Sequence, residues 1–270
     1  MKITILGSGT STGVPMVGCQ CPVCTSSDPK DKRTRASILV ETAGKFILID
    51  TSPDLRRQAL KHAIPHVDAV LFTHTHADHI NGIDDLRGYH LLHKRVIPCY
   101  GSKETIDLLT RNFSYIFCGA AQGCYTPLLE PHQVTGPFQL FGQTIHPLPL
   151  VHGYSYSTGY RIGAAAYLTD CSRIPESSLQ HLSGLDLLIL DALRYTPHIS
   201  HFNIEESLKV VEVLKPRRTI LTHLTHEVPH RDTQKLPAGV ELAYDGMILE
   251  LNIASSVSEI TQEALGNGRI

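Results

Sequence analysis

At 270 residues, 42% hydrophobic and 19% charged, the chain is long enough to bury a sizeable core, and residues 1–270 read as one large α/β domain. A formal charge of −2 with no run of five or more like charges argues against a broad electrostatic surface for nucleic acid or anionic membrane, so a bound phosphate would need a local site. No stretch approaches the roughly 18 apolar residues of a membrane span, and the opening MKITILGSGT lacks the apolar core and cleavage signature of a secretory leader, so a cytoplasmic protein is expected.

The first predicted strand, Ile3–Leu6, runs into Gly7-Ser8-Gly9-Thr10-Ser11-Thr12-Gly13. The glycine spacing there misses the dinucleotide pattern G-x-G-x-x-G and no helical pattern follows, so it reads as a tight loop. Next come three thiols within six residues, Cys19-Gln20-Cys21-Pro22-Val23-Cys24. Three thiolates leave a tetrahedral zinc one ligand short, and His226 is the candidate for the fourth. An odd total of seven cysteines fits metal binding in a reducing compartment better than a disulfide framework. Strands Ser37–Val40 and Phe46–Ile49 flank Ala43-Gly44, a hairpin signal. A helix over Asp54–His62, a strand over Ala69–Phe72, a strand over Val96–Tyr100 and a helix over Lys103–Thr110 follow. Tyr115–Gly136, rich in Gly, Pro and Cys, reads as a long loop or irregular insert, with Cys118 and Cys124 as unpaired thiols. Strands at Ile145–Val151, Ala165–Leu168, Leu187–Leu190, Thr219–Leu221 and Met247–Leu251 alternate with helices at Glu176–Leu182 and Ile204–Leu214. The last helix has Ile204, Leu208, Val211 and Leu214 on one face, Asn203 to cap it and Pro216 to stop it. Because hairpins occur among the alternating elements, a mixed-sheet α/β sandwich fits better than a parallel doubly wound sheet.

The chemistry concentrates where strand Ala69–Phe72 ends, in Thr73-His74-Thr75-His76-Ala77-Asp78-His79. Alternate residues of an extended stretch project to one side, so His74 and His76 can grip one ion while Asp78 and His79 reach a second. Imidazole with carboxylate suits Zn²⁺, Mn²⁺ or Fe²⁺ rather than Ca²⁺. A chance cluster of loop histidines explains four such groups in six positions poorly.

This segment resembles the His-x-His-x-Asp-His signature of the metallo-β-lactamase superfamily. That resemblance implies an αββα sandwich of two mixed sheets flanked by helices. It also implies three later ligands at strand ends, matched by His152, Asp170 and His223: His74, His76 and His152 on one ion, Asp78, His79 and His223 on the other, Asp170 bridging. Two such ions would activate a water and polarise an anionic substrate. Gly13-Val14-Pro15, the thiols Cys19 to Cys24 and Thr222-His223-Leu224-Thr225-His226 narrow the likeness to the phosphoribosyl cyclic phosphodiesterases known as PhnP. The narrower resemblance implies a structural zinc on Cys19, Cys21, Cys24 and His226, and hydrolysis of a small cyclic phosphodiester. It also implies a role for His201 at the substrate phosphate or leaving oxygen; protonating that oxygen suits a histidine. His198 competes for that role. Arg194 and Tyr195 could bind phosphate or simply solvate a loop.

Three rival readings share the ligand set. A transfer-RNA 3′-endonuclease would need a basic Gly- and Pro-containing insertion, which is missing between His79 and His152. A lactamase or thioester hydrolase is compatible with the same metals. A non-catalytic cofactor-biosynthesis protein, like the pyrroloquinoline quinone factor with its own cysteine cluster, fits less well because the catalytic motif here is intact. The expected partner is a small anionic phosphate ester, neither membrane nor nucleic acid, and a homodimer is left open.

Overall fold

The computed structural model describes residues 1–118 and 128–251. Two seven-stranded mixed sheets face each other. The first runs β14(Ile248–Glu250)-β1(Lys2–Gly7)-β2(Ser37–Thr42)-β3(Lys45–Ile49)-β4(Ala69–Leu71)-β5(Ile97–Gly101)-β6(Leu129–Gln133). The second runs β13(Val240–Leu242)-β12(Arg218–Thr222)-β11(Leu187–Asp191)-β10(Ala165–Leu168)-β9(Ser155–Ile162)-β8(Gln143–His152)-β7(Phe138–Leu140).

Strand periodicity explains the layers, since successive side chains point to opposite faces. In β3, Ile47 and Ile49 enter the core between the sheets while Leu48 joins the outer layer; in β11, Leu187 and Ile189 face inward while Leu188 and Leu190 face outward. The outer face of the first sheet is covered by α1(Leu55–Lys61), α3(Arg87–His93) and α4(Lys103–Asn112), through Leu55, Tyr89, Ile106 and Leu109. The outer face of the second is covered by α6(Glu176–Leu179) and α7(Ile204–Leu214). Asn203 and Glu206 form a reciprocal capping box at the start of α7. The sandwich is therefore the αββα arrangement that the resemblance implied.

The β2–β3 hairpin turns on Ala43 and Gly44, both at positive φ (48° and 69°), as a two-residue turn matched to strand twist requires. The reading of Tyr115–Gly136 as loop is corrected at both ends. Ser114–Phe117 forms the short helix α5, and Leu129–Gln133 is the edge strand β6, parallel to β5. An edge position tolerates Pro131. Cys118 is disulfide-bonded rather than an unpaired thiol; Cys124 lies outside the described residues. The helix expected over Glu176–Leu182 spans only Glu176–Leu179.

Two bonds stitch the sheets together next to the His-rich segment. The buried Tyr160 hydroxyl donates to the Phe72 carbonyl at 2.7 Å, and the Thr158 amide donates to the Thr73 carbonyl at 2.8 Å. The end of β4 is thus fixed against β9 where the site begins.

Candidate metal centre

The chain leaves β3, β4, β8, β10, β11 and β12 at one edge of the sandwich, and each exit delivers an acidic or imidazole side chain: Asp50, the His74–His79 segment, His152, Asp170, Asp191 and His223. The helix α2(Ala77–Ile80) follows β4 and carries Asp78 and His79. Asp50, Asp170 and His223 lie at positive φ (65°, 55° and 61°), uncommon for side-chain-bearing residues. Backbone strain of this kind is kept where the surrounding structure fixes it, and here it accompanies Asp170 and His223 in the ligand cluster and Asp50 behind His79.

The ligand atoms of His74, His76, His152 and Asp170 lie within 4.8 Å of one another, as do those of Asp78, His79 and His223, and those of Asp170, His201 and His223. Asp170 belongs to two of these groups. Its Oδ1 is 3.8 Å from His74 Nε2, 4.0 Å from His152 Nε2 and 3.5 Å from His223 Nε2, and its Oδ2 is 3.2 Å from His79 Nε2. Asp78 Oδ2 is 3.2 Å from His79 Nε2 and 3.6 Å from His223 Nε2. His76, the exposed member, brings Nδ1 to 3.3 Å from His152 Nε2.

Neighbouring groups fix the tautomers. The carbonyl of Ser200 can only accept, so His152 Nδ1 donates to it at 2.8 Å and Nε2 presents its lone pair. Asp50 takes His79 Nδ1 at 2.7 Å, as well as the amide and hydroxyl of Thr73, each at 2.8 Å. With its proton committed to Asp50, the Thr73 hydroxyl accepts from His74 Nδ1 at 3.0 Å. Asp191 takes His201 Nδ1 at 2.8 Å and the Cys171 amide at 2.9 Å. Asp50 and Asp191 thus orient the imidazoles from behind, the usual task of a carboxylate next to a ligating histidine.

A divalent cation fits this donor set. The buried His74 Nε2, His79 Nε2 and His223 Nε2 have no hydrogen-bond partner, although buried polar atoms are rarely left without one. Burial works against charge on His223, yet the Asp170 and Asp78 carboxylates outweigh it and hold its pKa up to about 9. Asp170 is also buried, yet the facing imidazoles His223, His79 and His74 hold it well below the usual carboxylate range. His74 shifts downward, through burial and the neighbouring His79. A pocket that keeps protons on His79 and His223 offers the same negative field to a metal ion, whose binding would displace them.

The thiol cluster lies apart. His226 Nδ1 is 3.2 Å from Cys19 Sγ, 3.5 Å from Cys21 Sγ and 3.4 Å from Cys24 Sγ, a grouping of four compatible with zinc. The Cys24 amide draws the Cys21 thiol down to about 6, whereas burial pushes Cys24 up to about 11.

All eleven candidate ligands read from the sequence fall into these two places. His201 joins the centre through Asp170, with Nε2 3.9 Å from Oδ1. His198 sits behind it, ring to ring at 5.2 Å, and its Nδ1 accepts from the Ser200 hydroxyl. Arg194 donates to the Thr196 and Pro197 carbonyls and to Glu227, and the Tyr195 hydroxyl donates to Asp232 at 2.6 Å. Sequence reasoning missed Asp50 and Asp191. Each immediately follows an apolar strand, the one available signal.

Residues 45–224 match the family model of the beta-lactamase superfamily domain. A crystal structure of a diphosphatase from the PhnP family superposes with a TM-score of 0.86 at 44% identity, covering 93% of this chain and 98% of that one. The chain is a metallo-β-lactamase-fold hydrolase close to PhnP. It is accordingly a metal-dependent enzyme. An octanoyltransferase from Porphyromonas gingivalis is 42% identical over 92% of this PhnP-like chain, which spans only 51% of that relative's length. Zinc-bound PqqB from Methylobacterium extorquens, at 21% identity and a TM-score of 0.75 over 93% of this chain and all of its own, shares the fold. Among the described residues no helix of this PhnP relative is long and apolar enough to cross a membrane.

Proposed function

We propose that the chain hydrolyses a P–O bond in a small phosphodiester-type substrate, a cyclic phosphodiester first among them. His74, His76 and His152 would hold one divalent ion and Asp78, His79 and His223 the other, with Asp170 within reach of both sets. The observation that carries this reading is the position of Asp170, whose Oδ1 lies 3.8 and 4.0 Å from His74 and His152 of the first set and 3.5 Å from His223 of the second, and whose Oδ2 lies 3.2 Å from His79 of the second. Bound there, the ions supply positive charge for phosphoryl oxygens and a water acidic enough to attack near neutral pH.

The protein's own part is to orient ligands and to handle the leaving group. Asp50 and Asp191 keep His79 and His201 in one tautomer. When His201 is an imidazolium, Asp191 stabilises its charge. Nε2 can then pass its proton to the departing oxygen, leaving a neutral ring still bonded to Asp191 through Nδ1. An alkoxide, with its high pKa, needs that proton most. The diphosphatase neighbour widens the substrate class, because a P–O–P linkage presents a similar anionic tetrahedral phosphorus. Acyl transfer is not carried over from the octanoyltransferase, half of which has no counterpart here. The centre's zinc, manganese or iron, and a separate zinc on Cys19, Cys21, Cys24 and His226, belong to the same proposal.

The test is a turnover panel of the metal-loaded protein on cyclic and linear phosphodiesters, diphosphates, thioesters and β-lactams. The proposal predicts turnover confined to the phosphorus compounds. Turnover of a thioester or β-lactam, with none on phosphorus, would overturn it.

A further inference from the structure

Arg33 is among the largest fully buried side chains, only 2% exposed. Removing a guanidinium from water is costly unless its charge is paired and its N–H groups bonded. Its pairing here is sparse. Nη1 donates to the Thr225 carbonyl at 3.1 Å, Nη2 is 3.7 Å from Asp31 Oδ1, and neither Nε nor Nη2 has a hydrogen-bond partner. Its one side-chain hydrogen bond, to the Thr225 carbonyl, is therefore the main polar contact set against the cost of burying the charge.

That bond falls on the strip joining the two clusters. Thr225 lies between His223 of the His/Asp centre and His226 of the thiol cluster. The rest of the strip is held by backbone: the Leu224 amide donates to the Ser8 carbonyl at 2.9 Å, the Leu224 carbonyl accepts from the Thr10 amide at 3.2 Å, and the Thr225 amide donates to the Leu193 carbonyl at 2.9 Å. The Thr225 carbonyl accepts from Arg33 at 3.1 Å and, at 3.4 Å, from the Val228 amide. Arg33 is itself anchored, exchanging both backbone bonds with Val14 at 2.7 and 2.8 Å, and Asp31 accepts the His230 amide at 2.7 Å. His223 stands two residues from this contact in a left-handed conformation (φ 61°) that its neighbours must enforce.

We propose that Arg33 is a positioning residue for His223, holding the His223–His226 strip so that the imidazole stays aimed at the Asp78 and Asp170 carboxylates. The proposal rests on the two-ion reading of the centre. Ligand geometry must be kept to a fraction of an ångström for a site to work, and supports behind the ligands supply that precision. The predicted consequence is selective: loosening the strip weakens the ion held by His223 and spares the one held by His74, His76 and His152.

The test titrates Co²⁺ into chain stripped of its His/Asp-site metal, with the thiol-bound zinc left in place, and follows binding by calorimetry and visible absorption. Wild type, Arg33→Met and Arg33→Lys are compared. Removing a group bonded directly to a ligand typically costs about 10–100-fold in metal affinity, which sets the upper bound here: Arg33→Met should weaken one of the two Co²⁺ sites by up to that factor and leave the other within about twofold. Arg33→Lys, which keeps the charge and a donor, should lie between and covers the case in which the methionine variant does not fold. Both affinities unchanged in the lysine variant, with only the melting temperature lowered, would overturn the proposal and make Arg33 a packing residue. A wild type that binds fewer than two Co²⁺ at the His/Asp centre would overturn the two-ion reading, and this proposal with it. Two ions in wild type with unaltered variants would overturn this proposal alone.

Discussion

The two clusters draw their side chains from very different lengths of chain. Those of the His/Asp centre arrive from strand ends in both sheets, between His74 and His223, and close only when the sandwich closes. Three of the four groups in the thiol cluster come from the six residues Cys19–Cys24, and one tertiary partner, His226, completes it. The first is an outcome of the fold; the second ties a local loop to it. Changes at the centre should therefore act on chemistry with the fold largely kept, and changes at the thiols should act on stability with the chemistry largely kept.

The comparison breaks most sharply at Asp170. Asp170→Asn, and likewise His76→Ala, should abolish hydrolysis of whatever substrate the wild type turns over, while circular dichroism shows the fold retained. Wild-type rates in a metal-replete Asp170→Asn protein would remove the bridging role. His201→Ala should act selectively by leaving group. General-acid help is worth about 10²–10⁴-fold, so alkyl or sugar diesters should lose that much more rate than p-nitrophenyl diesters, whose leaving group needs no proton. Equal losses would make His201 a phosphate-positioning group, and no loss on either would move the assignment to His198.

Behind the centre, Asp50→Asn tests orientation by itself, because His79 keeps a neighbour of the same size but loses the carboxylate that fixes its proton. A loss of about 10–100-fold in metal affinity or turnover is expected. Unchanged metal binding would show that Asp50 only fills space. At the thiols the sign of the contrast reverses. Cys21→Ser should lower the melting temperature by roughly 5 °C or more, at about 2–4 °C per kcal/mol for a chain of this size, and leave turnover within a few-fold. An unaltered melting temperature with lost turnover would point to a catalytic thiol.

Much of this was readable before folding was considered, for identifiable reasons. Histidine and aspartate at strand ends stand out because apolar runs mark the strands and four such groups fall within His74–His79; the cysteines stand out by crowding. Strand β9 was not readable, because SYSTGYRI lies half-exposed at its start and is small and polar along a stretch that only its neighbours bury. Strand β6 was hidden by Pro131, which an edge allows. Asp50 and Asp191 look in the sequence like ordinary turn residues, and only the tertiary approach of His79 and His201 gives them a task. Arg33 is the extreme case: an arginine reads as surface, and its burial against Thr225 depends on a chain segment nearly two hundred residues away.

Metal stoichiometry tests the division into two stations most directly. Elemental analysis of protein purified without added metal, before and after mild chelation, should show more than two ions per chain at first. Chelation should then abolish turnover while about one zinc per chain stays bound. Loss of that zinc in step with activity, or no tightly held zinc from the start, would contradict the account.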